Sequence, residues 1–347
     1  MNLSILTLTT GFNYGNKLQN YALQEVLKKN GYKTSTVRLS NYNHELLLLK
    51  TLLLFPFVWI IEGRYKATFQ GRFKFFAFNK NIKQSFAKIE IIQSNKLRKH
   101  LSTFSKVIYG SDQIWNSNFN TFTPAYLGTC APREKNIALS ASFGIDEIPE
   151  EYRDLFREAL LNNFSAISVR EYQGAKIIKD LTGMDAEVLP DPTLTLSQEK
   201  WEELENAVPI PEKYYLTYFL GNKPEQAISS IDLIQGLSHV SAEPNQPIGP
   251  SEFLYLIHRA KYMCTDSFHG CVFSIIYHIP FMLFTRQDNL TSMNSRLISL
   301  FQMLGLKGEQ RDGYTFVSKE EICSETVQNN LKAAVRKFDD FLKKNLK

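Results

Sequence analysis

A short polar segment, TDSFHG at residues 265–270, lies between two apolar stretches of the chain. Residues 262–265 predict a short buried strand, and the apolar residues that follow the segment predict a buried helix. Asp266 and Ser267 are both of the types that cap a helix N-terminus, so the helix is expected to begin beside them. His269 would then lie in the first helical turn.

The N-terminus of a helix is a favourable place for an anion, because its N–H groups are unpaired and the helix dipole is positive there. A phosphate or carboxylate could therefore bind beside His269, and Gly270 would let it approach the backbone closely. An imidazole next to such an anion can act as an acid, a base or a hydrogen-bond donor to phosphate. The alternative is a capped core helix that contains a hydrogen-bonded histidine.

A second polar segment, GFNYGN at residues 11–16, follows a predicted strand at residues 3–8 and opens a predicted helix. Asn13 and Asn16 lie at this junction, which is where phosphates or sugars contact doubly wound sheets. The pattern differs from the dinucleotide fingerprint GxGxxG, so NAD and FAD are not expected.

Strands and helices alternate along the whole chain, which predicts parallel sheets with crossover helices. Because 347 residues exceed one usual core, we predict an α/β fold of two Rossmann-like domains that face each other across a cleft. The predicted strands are residues 3–8, 34–37, 106–109, 137–141, 166–169 and 186–189 in the first half, and residues 215–219, 262–265 and 281–284 in the second. Ligands of such sheets bind beyond the carboxyl ends of the strands, which is where the polar segments fall.

The composition is that of an ordinary globular protein, with 44% hydrophobic and 22% charged residues. A formal net charge of +5 suits an anionic small substrate or a membrane surface better than sequence-specific nucleic-acid binding. The four cysteines have neither CxxC nor zinc-type spacing, so no disulfide framework and no metal site are expected. The N-terminus lacks a signal-peptide pattern, which favours a cytoplasmic location.

Further short segments occur along the chain: GSDQIWN at residues 110–116, SASFG at 140–144, ISVRE at 167–171, LPDPTL at 189–194, YFLG at 218–221 and IGPSEF at 248–253. With the two polar segments above, in this order and at roughly this spacing, they resemble the polysaccharide pyruvyl transferase family. The resemblance runs over about residues 13–296 and is most specific at SDQxWN and TDSFHG. It implies a glycosyltransferase-B-like fold and transfer of the enolpyruvyl skeleton of phosphoenolpyruvate to a sugar diol as a cyclic ketal, without a metal or redox cofactor.

The implied reaction needs clamps for the two anionic groups of phosphoenolpyruvate, an acid for its methylene carbon and a base for the sugar hydroxyls. His269 is the expected acid or base beside the phosphate, and Ser267 and Gly270 are expected to contact the donor. Relatives carry an arginine where this chain has Ser267, whose hydroxyl adds no charge.

Two arginines are expected at the donor. Arg170 matches a family arginine that faces the donor; its alternative role is an ion pair with Glu171 or a neighbour. Arg296 is the proposed replacement for the missing arginine, and its alternative is a solvated residue in the first turn of a helix.

Asp112 is the predicted general base for the acceptor hydroxyl, and Trp115 is predicted to stack on the sugar. A self-bonded Asx turn with Trp115 in the core is the alternative. Residues 191–193 are predicted to form an interdomain hinge. The complete set of predicted acceptor-binding residues is Asn13, Tyr14, Asn16, Gln113, Trp115 and Asn116.

We predict an N-terminal, acceptor-side domain at residues 1–195, a C-terminal, donor-side domain at 196–320 and a final helix within 321–347 that packs back on the first domain. An insert at about residues 45–85 interrupts the first domain. Its residues 46–76 are apolar, then basic and aromatic, as in interfacial membrane elements, although a buried hairpin or a dimer contact is the alternative. Because many relatives act on sugars linked to a polyprenyl carrier, the acceptor is expected to be linked to polyprenyl diphosphate.

Two other functions stay open. A nucleotide-sugar glycosyltransferase of the same fold would need a ribose-binding carboxylate, which Glu252 could supply, but residues 265–269 lack the usual donor signature. A non-catalytic glycan-binding protein would have no need of Asp112, Arg170 and His269 together. The sequence does not determine the sugar, the ketal stereochemistry or the oligomeric state.

Overall fold

The computed structural model describes residues 1–9, 13–40, 89–243, 248–286 and 294–346. The predicted insert at residues 46–76 lies outside this part of the chain. Within it, no helix is both long enough and apolar enough to cross a membrane.

The first domain is built on a parallel sheet of seven described strands. They are β1 Asn2–Leu6, β2 Lys33–Ser40, β3 Ile89–Gln93, β4 Lys106–Tyr109, β5 Asn136–Ala141, β6 Ala166–Val169 and β7 Glu187–Val188. Their spatial order is β3-β2-β1-β4-β5-β6-β7. Strands β1 to β3 extend to one side of the sheet and β4 to β7 to the other, so the order of the strands reverses between β1 and β4. A crevice therefore opens at the carboxyl ends of these two strands.

The helices that cover this sheet are α1 Tyr14–Lys29, α2 Leu97–Leu101, α3 Glu150–Asn162 and α4 Tyr172–Thr182. Gly183 ends α4 in the left-handed conformation with φ 76°, which explains why a glycine follows that helix.

The second domain is built on a sheet of six described strands. They are β8 Tyr214–Tyr218, β9 Ser238–Ser241, β10 Tyr262–Thr265, β11 Phe281–Phe284, β12 Glu309–Arg311 and β13 Tyr314–Val317. The order is β12-β13-β11-β10-β8-β9; β8 to β11 are parallel, and β13 and β12 add an antiparallel hairpin at the edge.

Seven further helices follow the first domain in the described chain. They are α5 Gln198–Glu202, α6 Glu225–Ser229, α7 Pro250–Arg259, α8 Phe268–Ile276, α9 Asn294–Leu304, α10 Lys319–Ile322 and α11 Glu325–Asn345. The predicted α/β fold of two Rossmann-like domains is confirmed, and four predicted strands, β4, β6, β10 and β11, have the predicted bounds.

Helix α1 joins the two domains. Its residues Tyr14, Leu18 and Tyr21 belong to the hydrophobic core of the second domain. The ring of Tyr14 stacks on that of Phe253, with 4.5 Å between ring centroids. The start of α1 is thereby held against the second domain, at the mouth of the crevice.

Helix α11 packs against the first domain. Phe338, Phe341 and Leu342 share a buried cluster with Leu3 and Ile5 of β1. The chain thus crosses back from the second domain and ties its last helix to the first sheet, which couples the positions of the two domains.

Candidate active site

His269 lies in the first turn of α8, beyond the carboxyl end of β10. Ser267 is the N-cap, and its hydroxyl accepts a hydrogen bond from the N–H of Gly270 at 3.4 Å. A Cβ atom at Gly270 would lie 2.5 Å from Oγ1 of Thr265, so the glycine lets the helix start pack on the strand end. The sequence correctly located this helix start, although Gly270 faces protein in the described structure.

The imidazole of His269 packs against the backbone of α1. A Cβ atom added to Gly15 would lie 2.0 Å from Nδ1 of His269 and 2.3 Å from its Cγ. Asn13 caps α1, because its Oδ1 accepts a hydrogen bond from the N–H of Gly15 at 2.9 Å. The N-termini of α1 and α8, one from each domain, therefore meet at this histidine.

A buried carboxylate connects Arg170 to His269. Asp191 follows β7, and its Oδ2 accepts a hydrogen bond from Nη1 of Arg170. The same oxygen lies 3.6 Å from Nε2 of His269, which is longer than a hydrogen bond but within ion-pair distance. Its other oxygen, Oδ1, accepts hydrogen bonds from the N–H and hydroxyl of Thr193 at 3.0 and 2.7 Å.

The charge of Asp191 is maintained by these partners. Burial alone would raise the pKa of Asp191, but Arg170, followed by His269 and Thr193, holds it below its ordinary value. The interdomain hinge at residues 191–193 stays a prediction; Asp191 itself is 1% exposed and lies at the centre of the site, a position that the sequence did not indicate. Its role depends on contacts with β6 and α8, which are remote in sequence.

Two arginines converge on the ring of Phe268. The Cζ atoms of Arg170 and Arg296 lie 4.7 and 5.7 Å from the centroid of that ring. Arg296, in the first turn of α9, is 6% exposed, so it is not the solvated residue of the alternative interpretation. Burial, and then the charge of Arg170, lowers the pKa of Arg296 to about 9.

Several donors in this cluster lack a partner. Within the described part of the chain, Nε and Nη2 of Arg170, Nε of Arg296 and Nε2 of His269 are buried and make no hydrogen bond. Glu171 is not the partner of Arg170, since its Oε1 accepts from the N–H groups of Phe143 and Gly144 at 2.7 and 3.1 Å. Buried donors without partners are rare in folded proteins, and here they indicate a place for an anion.

Asp112 lies in the loop after β4 and is 3% exposed. Its Oδ1 accepts a hydrogen bond from the N–H of Gln113 at 2.7 Å, as in the self-bonded turn that the sequence left open. Its Oδ2 has no partner among the described residues. The carbonyl oxygen of Asp112 accepts a hydrogen bond from the N–H of Ser142 at 3.2 Å, and the hydroxyl of Ser142 donates to Oε1 of Glu171 at 3.1 Å, so this loop is linked to the residue beside Arg170.

The other residues of the Asp112 loop support the loop itself. Trp115 is 0% exposed, its Nε1 donates to the carbonyl of Tyr126 at 3.0 Å, and its ring packs against Phe143. That position leaves no ring face for a sugar, and it is the core position that the sequence offered as the alternative to stacking. Nδ2 of Asn116 donates to Oε1 of Gln113 at 3.2 Å, so these two amides bind each other.

The predicted acceptor-binding residues at the start of α1 also include one that lies in the core and two that lie at the crevice. Tyr14 is 0% exposed and packs between Phe253 and Tyr218, and burial raises its pKa above the ordinary value. It contributes to the core instead of offering a surface to a ligand. Asn13 and Asn16 are half-buried at the start of the helix, on the side of the crevice.

Sequence reasoning missed Arg286, which follows β11. Its Nε donates to Oδ2 of Asp266 at 3.0 Å, and the two oxygens of that carboxylate also accept from the N–H groups of Leu220 and Gly221 at 2.8 Å. Asp266 thus fixes the loop after β8 rather than capping α8. Because Asp266 directly precedes the N-cap Ser267, Arg286 is a third arginine near the start of α8.

The described residues contain no group of three or more His, Cys, Asp or Glu side chains placed to hold a metal ion. The cluster instead combines cationic donors from both domains with three buried carboxylates, Asp112, Glu171 and Asp191; Oδ2 of Asp112 and Oε2 of Glu171 have no partner among the described residues. Such an arrangement can bind an anionic substrate and exchange protons with it.

The fold is of the glycosyltransferase-B type, and the cluster of His269, Arg170 and Arg296 combines side chains from both of its domains. Among solved structures, S. aureus MnaA with UDP has a TM-score of 0.52 at 10% identity, covering 99% of this chain and 96% of that one. A UDP-GlcNAc 2-epimerase from Methanocaldococcus jannaschii, in complex with UDP-GlcNAc and UDP, has a TM-score of 0.50 at 12% identity, covering 98% and 99%. These likenesses establish the fold alone.

The family follows from the sequence. A model of the family described as polysaccharide pyruvyl transferase matches residues 13–289, and the chain belongs to that family. No curated protein matches the chain.

Proposed function

We propose that the protein transfers the enolpyruvyl skeleton of phosphoenolpyruvate to two hydroxyls of a sugar in a surface or capsular polysaccharide repeat unit, forming a cyclic ketal and releasing phosphate. The observation that carries the proposal is the set of buried donors without partners, among the described residues, on Arg170, Arg296 and His269. Family membership supports the transferase activity.

Phosphoenolpyruvate suits this cluster because it carries a phosphate and a carboxylate on one enol carbon. Arg170 and Arg296 would each donate hydrogen bonds from guanidinium N–H groups to one of these two anionic groups, and His269 would bind the phosphate beside the helix N-terminus. Arg296 also supplies the positive charge that Ser267 lacks. Burial, and then repulsion by Arg170, lowers the pKa of Arg296, and a bound anion would offset that repulsion.

Asp191 acts as a positioning residue in this proposal. Its oxygens fix Arg170 directly and place negative charge 3.6 Å from Nε2 of His269. The imidazole is held between this carboxylate and the backbone of Gly15, so it has little freedom to turn. A protonated His269 would donate to the methylene carbon as the acid of the reaction.

Asp112 would serve the acceptor. Its Oδ2, which has no partner among the described residues, would take the proton of a sugar hydroxyl, whose oxygen would then attack the enol carbon that protonation has activated. The bond from that carbon to the bridging oxygen breaks and phosphate leaves. The second hydroxyl loses its proton as it closes the ketal, so one diol and one phosphoenolpyruvate give one ketal and one phosphate.

The nucleotide-sugar alternative loses its candidate ribose ligand. Glu252 binds the N–H of Gly249 through Oε2 at 2.8 Å and Nδ2 of Asn206 through Oε1 at 3.2 Å. It caps α7 and so is already engaged on both oxygens.

A coupled assay tests the proposal. The protein is incubated with phosphoenolpyruvate and a panel of free and carrier-linked sugars, and phosphate release is compared with the ketal methyl signal in the NMR spectrum. We expect one ketal methyl per phosphate and neither product from His269→Ala. Sugar transfer from a nucleotide donor, without consumption of phosphoenolpyruvate, would support the glycosyltransferase instead.

The polyprenyl-linked acceptor and the membrane contact through residues 46–76 stay part of this proposal. The insert lies outside the described residues, so its support is its composition alone.

A further inference from the structure

A second pair of cationic side chains lies on the first domain, apart from Arg170 and Arg296. Lys17, in the first turn of α1, is only 5% exposed. Arg38, on β2, is half-buried and is the charged group that acts on it: burial first, and then Arg38, lowers the pKa of Lys17 to about 8.

A ladder of polar contacts fixes the register of this pair. Nε2 of Gln24 donates to Oγ1 of Thr36, and that hydroxyl donates to Oδ1 of Asn20, both at 2.6 Å. Residues two apart on a strand share a face, and residues three apart on a helix are neighbours. Arg38 lies two residues after Thr36 on β2, and Lys17 lies three residues before Asn20 on α1. Both therefore lie on the same side of the contact between Thr36 and Asn20, which brings the two cations together at the carboxyl edge of the sheet.

Neither side chain has an acidic partner. In the part of the chain that the structure describes, Lys17 and Arg38 make no ion pair and no side-chain hydrogen bond. Burial of most of the Lys17 side chain disfavours its charged form, and a second cation beside it increases that cost. The arrangement becomes favourable when an anion with several oxygens lies between them.

The pair lies on the acceptor side of the proposed reaction. The hydroxyl of Ser111 donates a hydrogen bond to Oε1 of Gln19 at 2.9 Å, so the loop that carries Asp112 contacts α1 two residues from Lys17. In the sheet order, β4, which precedes the Asp112 loop, lies between β2, which carries Arg38, and β6, which precedes Arg170. A ligand that reaches Asp112 with its hydroxyls can extend from there to the two cations.

We infer that Lys17 and Arg38 bind a phosphate or diphosphate group carried by the sugar acceptor. The inference rests on the proposed function for the identity of that acceptor. Phosphate oxygens match both the point charge of a lysine and the planar fork of an arginine. A dianion also balances two cations, which the single charge of a sugar carboxylate does not.

The test uses Lys17→Met, which keeps most of the side-chain length and removes the charge. Because burial and the charge of Arg38 both disfavour the charged form of Lys17, the variant should unfold at the same temperature as the wild type or at a higher one. Lys28→Met is the matched control on the same helix, where the side chain is 75% exposed. Equal or higher stability of Lys17→Met shows that any loss of binding is not a loss of fold.

Binding is measured by calorimetry with inorganic pyrophosphate, in excess phosphoenolpyruvate to occupy the donor site. We expect Lys17→Met to weaken pyrophosphate binding about 10- to 100-fold, as for the loss of a charged hydrogen bond, and Lys28→Met to leave it unchanged. Phosphoenolpyruvate affinity should be the same in all three proteins. Equal pyrophosphate affinity in Lys17→Met and wild type, or a loss of phosphoenolpyruvate affinity, would overturn the inference.

A kinetic comparison identifies the source of the anion. With one sugar offered as a phosphate ester and as a neutral methyl glycoside, Lys17→Met should raise KM for the ester by the same factor and leave KM for the glycoside unchanged. An equal rise for both would contradict an acceptor-phosphate site. If no acceptor turns over while pyrophosphate binding still depends on Lys17, the proposed reaction fails and the anion site stands.

Discussion

Replacing Gly15 with alanine tests the contact between the two domains at His269. The added Cβ would lie 2.0 Å from Nδ1, 2.3 Å from Cγ and 2.6 Å from Cε1 of that ring. Unstrained contacts between such atoms are about 3.5–4.0 Å, so the ring must move by more than about 1 Å. A misplacement of about 1 Å can lower catalytic rates about 100-fold, which is the loss of turnover that we expect.

The stability of the variant gives an independent readout. In an unhindered helix, Gly→Ala stabilises by about 0.5–1 kcal/mol, whereas overpacking a filled site costs about 1–3 kcal/mol. In the His269→Ala background the obstructing ring is absent, so Gly15→Ala should stabilise the protein. In the wild-type background it should destabilise it, and the two effects should differ by about 2 kcal/mol or more.

Denaturant unfolding of the wild type, both single variants and the double variant provides these numbers. The double variant is the internal control, because it contains the same added methyl group without the ring. Equal stabilisation by Gly15→Ala in both backgrounds would refute the packing of His269 on α1. Wild-type turnover by Gly15→Ala would refute the need for a fixed imidazole.

The remaining predictions concern the donor cluster and the insert. His269→Ala should abolish phosphate release while the protein stays folded, and near wild-type release would remove the histidine from the reaction. Arg170→Ala and Arg296→Ala should each weaken phosphoenolpyruvate binding by about 2–5 kcal/mol in calorimetry, and unchanged affinity in Arg296→Ala would exclude that residue as the replacement for the missing arginine. Asp191→Asn should destabilise the protein by about 3 kcal/mol at pH 7, because Arg170 loses its counterion. The pKa of Asp191 is lowered in the folded state, so its contribution to stability is complete above the unfolded pKa of about 3.9 and is lost as the pH falls through the folded-state pKa. The stabilities of the wild type and Asp191→Asn should therefore converge only in acid. A difference in stability that stays constant with pH would contradict the lowered pKa. Reversing the basic charges within residues 46–76 should weaken sedimentation with anionic vesicles, and an unchanged sediment would favour a buried or dimer-contact role.

The parts of the fold set by local pattern were predictable. Strand β10 and helix α8 follow from an apolar run, a capping serine and a second apolar run, which is why the sequence alone places His269 in the first turn of a helix. The edge hairpin of β12 and β13 was not predicted, because Glu309–Arg311 has no apolar alternation and pairs only with a neighbouring strand.

The contacts that build the site were less accessible from sequence. Asp191 resembled an ordinary turn residue before proline, and its part in the cluster depends on the meeting of β7 with β6 and α8. Trp115 had a residue type that suits either a sugar or a core, and only the packing against Phe143 decides between them. Lys17 has the residue type of a solvated helix position, and only the contact of Thr36 with Asn20 shows the register of α1 on β2 that buries it.

Calorimetric titration of phosphoenolpyruvate tests the central claim most directly, because it requires no acceptor. We predict that one molecule binds per chain, that Arg296→Met weakens the binding at least about 10-fold, and that Arg157→Met, at an exposed position on α3, leaves it unchanged. A nucleotide sugar should produce no binding heat. Binding of a nucleotide sugar without binding of phosphoenolpyruvate, or equal phosphoenolpyruvate affinity in both variants, would contradict a donor site between Arg170, Arg296 and His269.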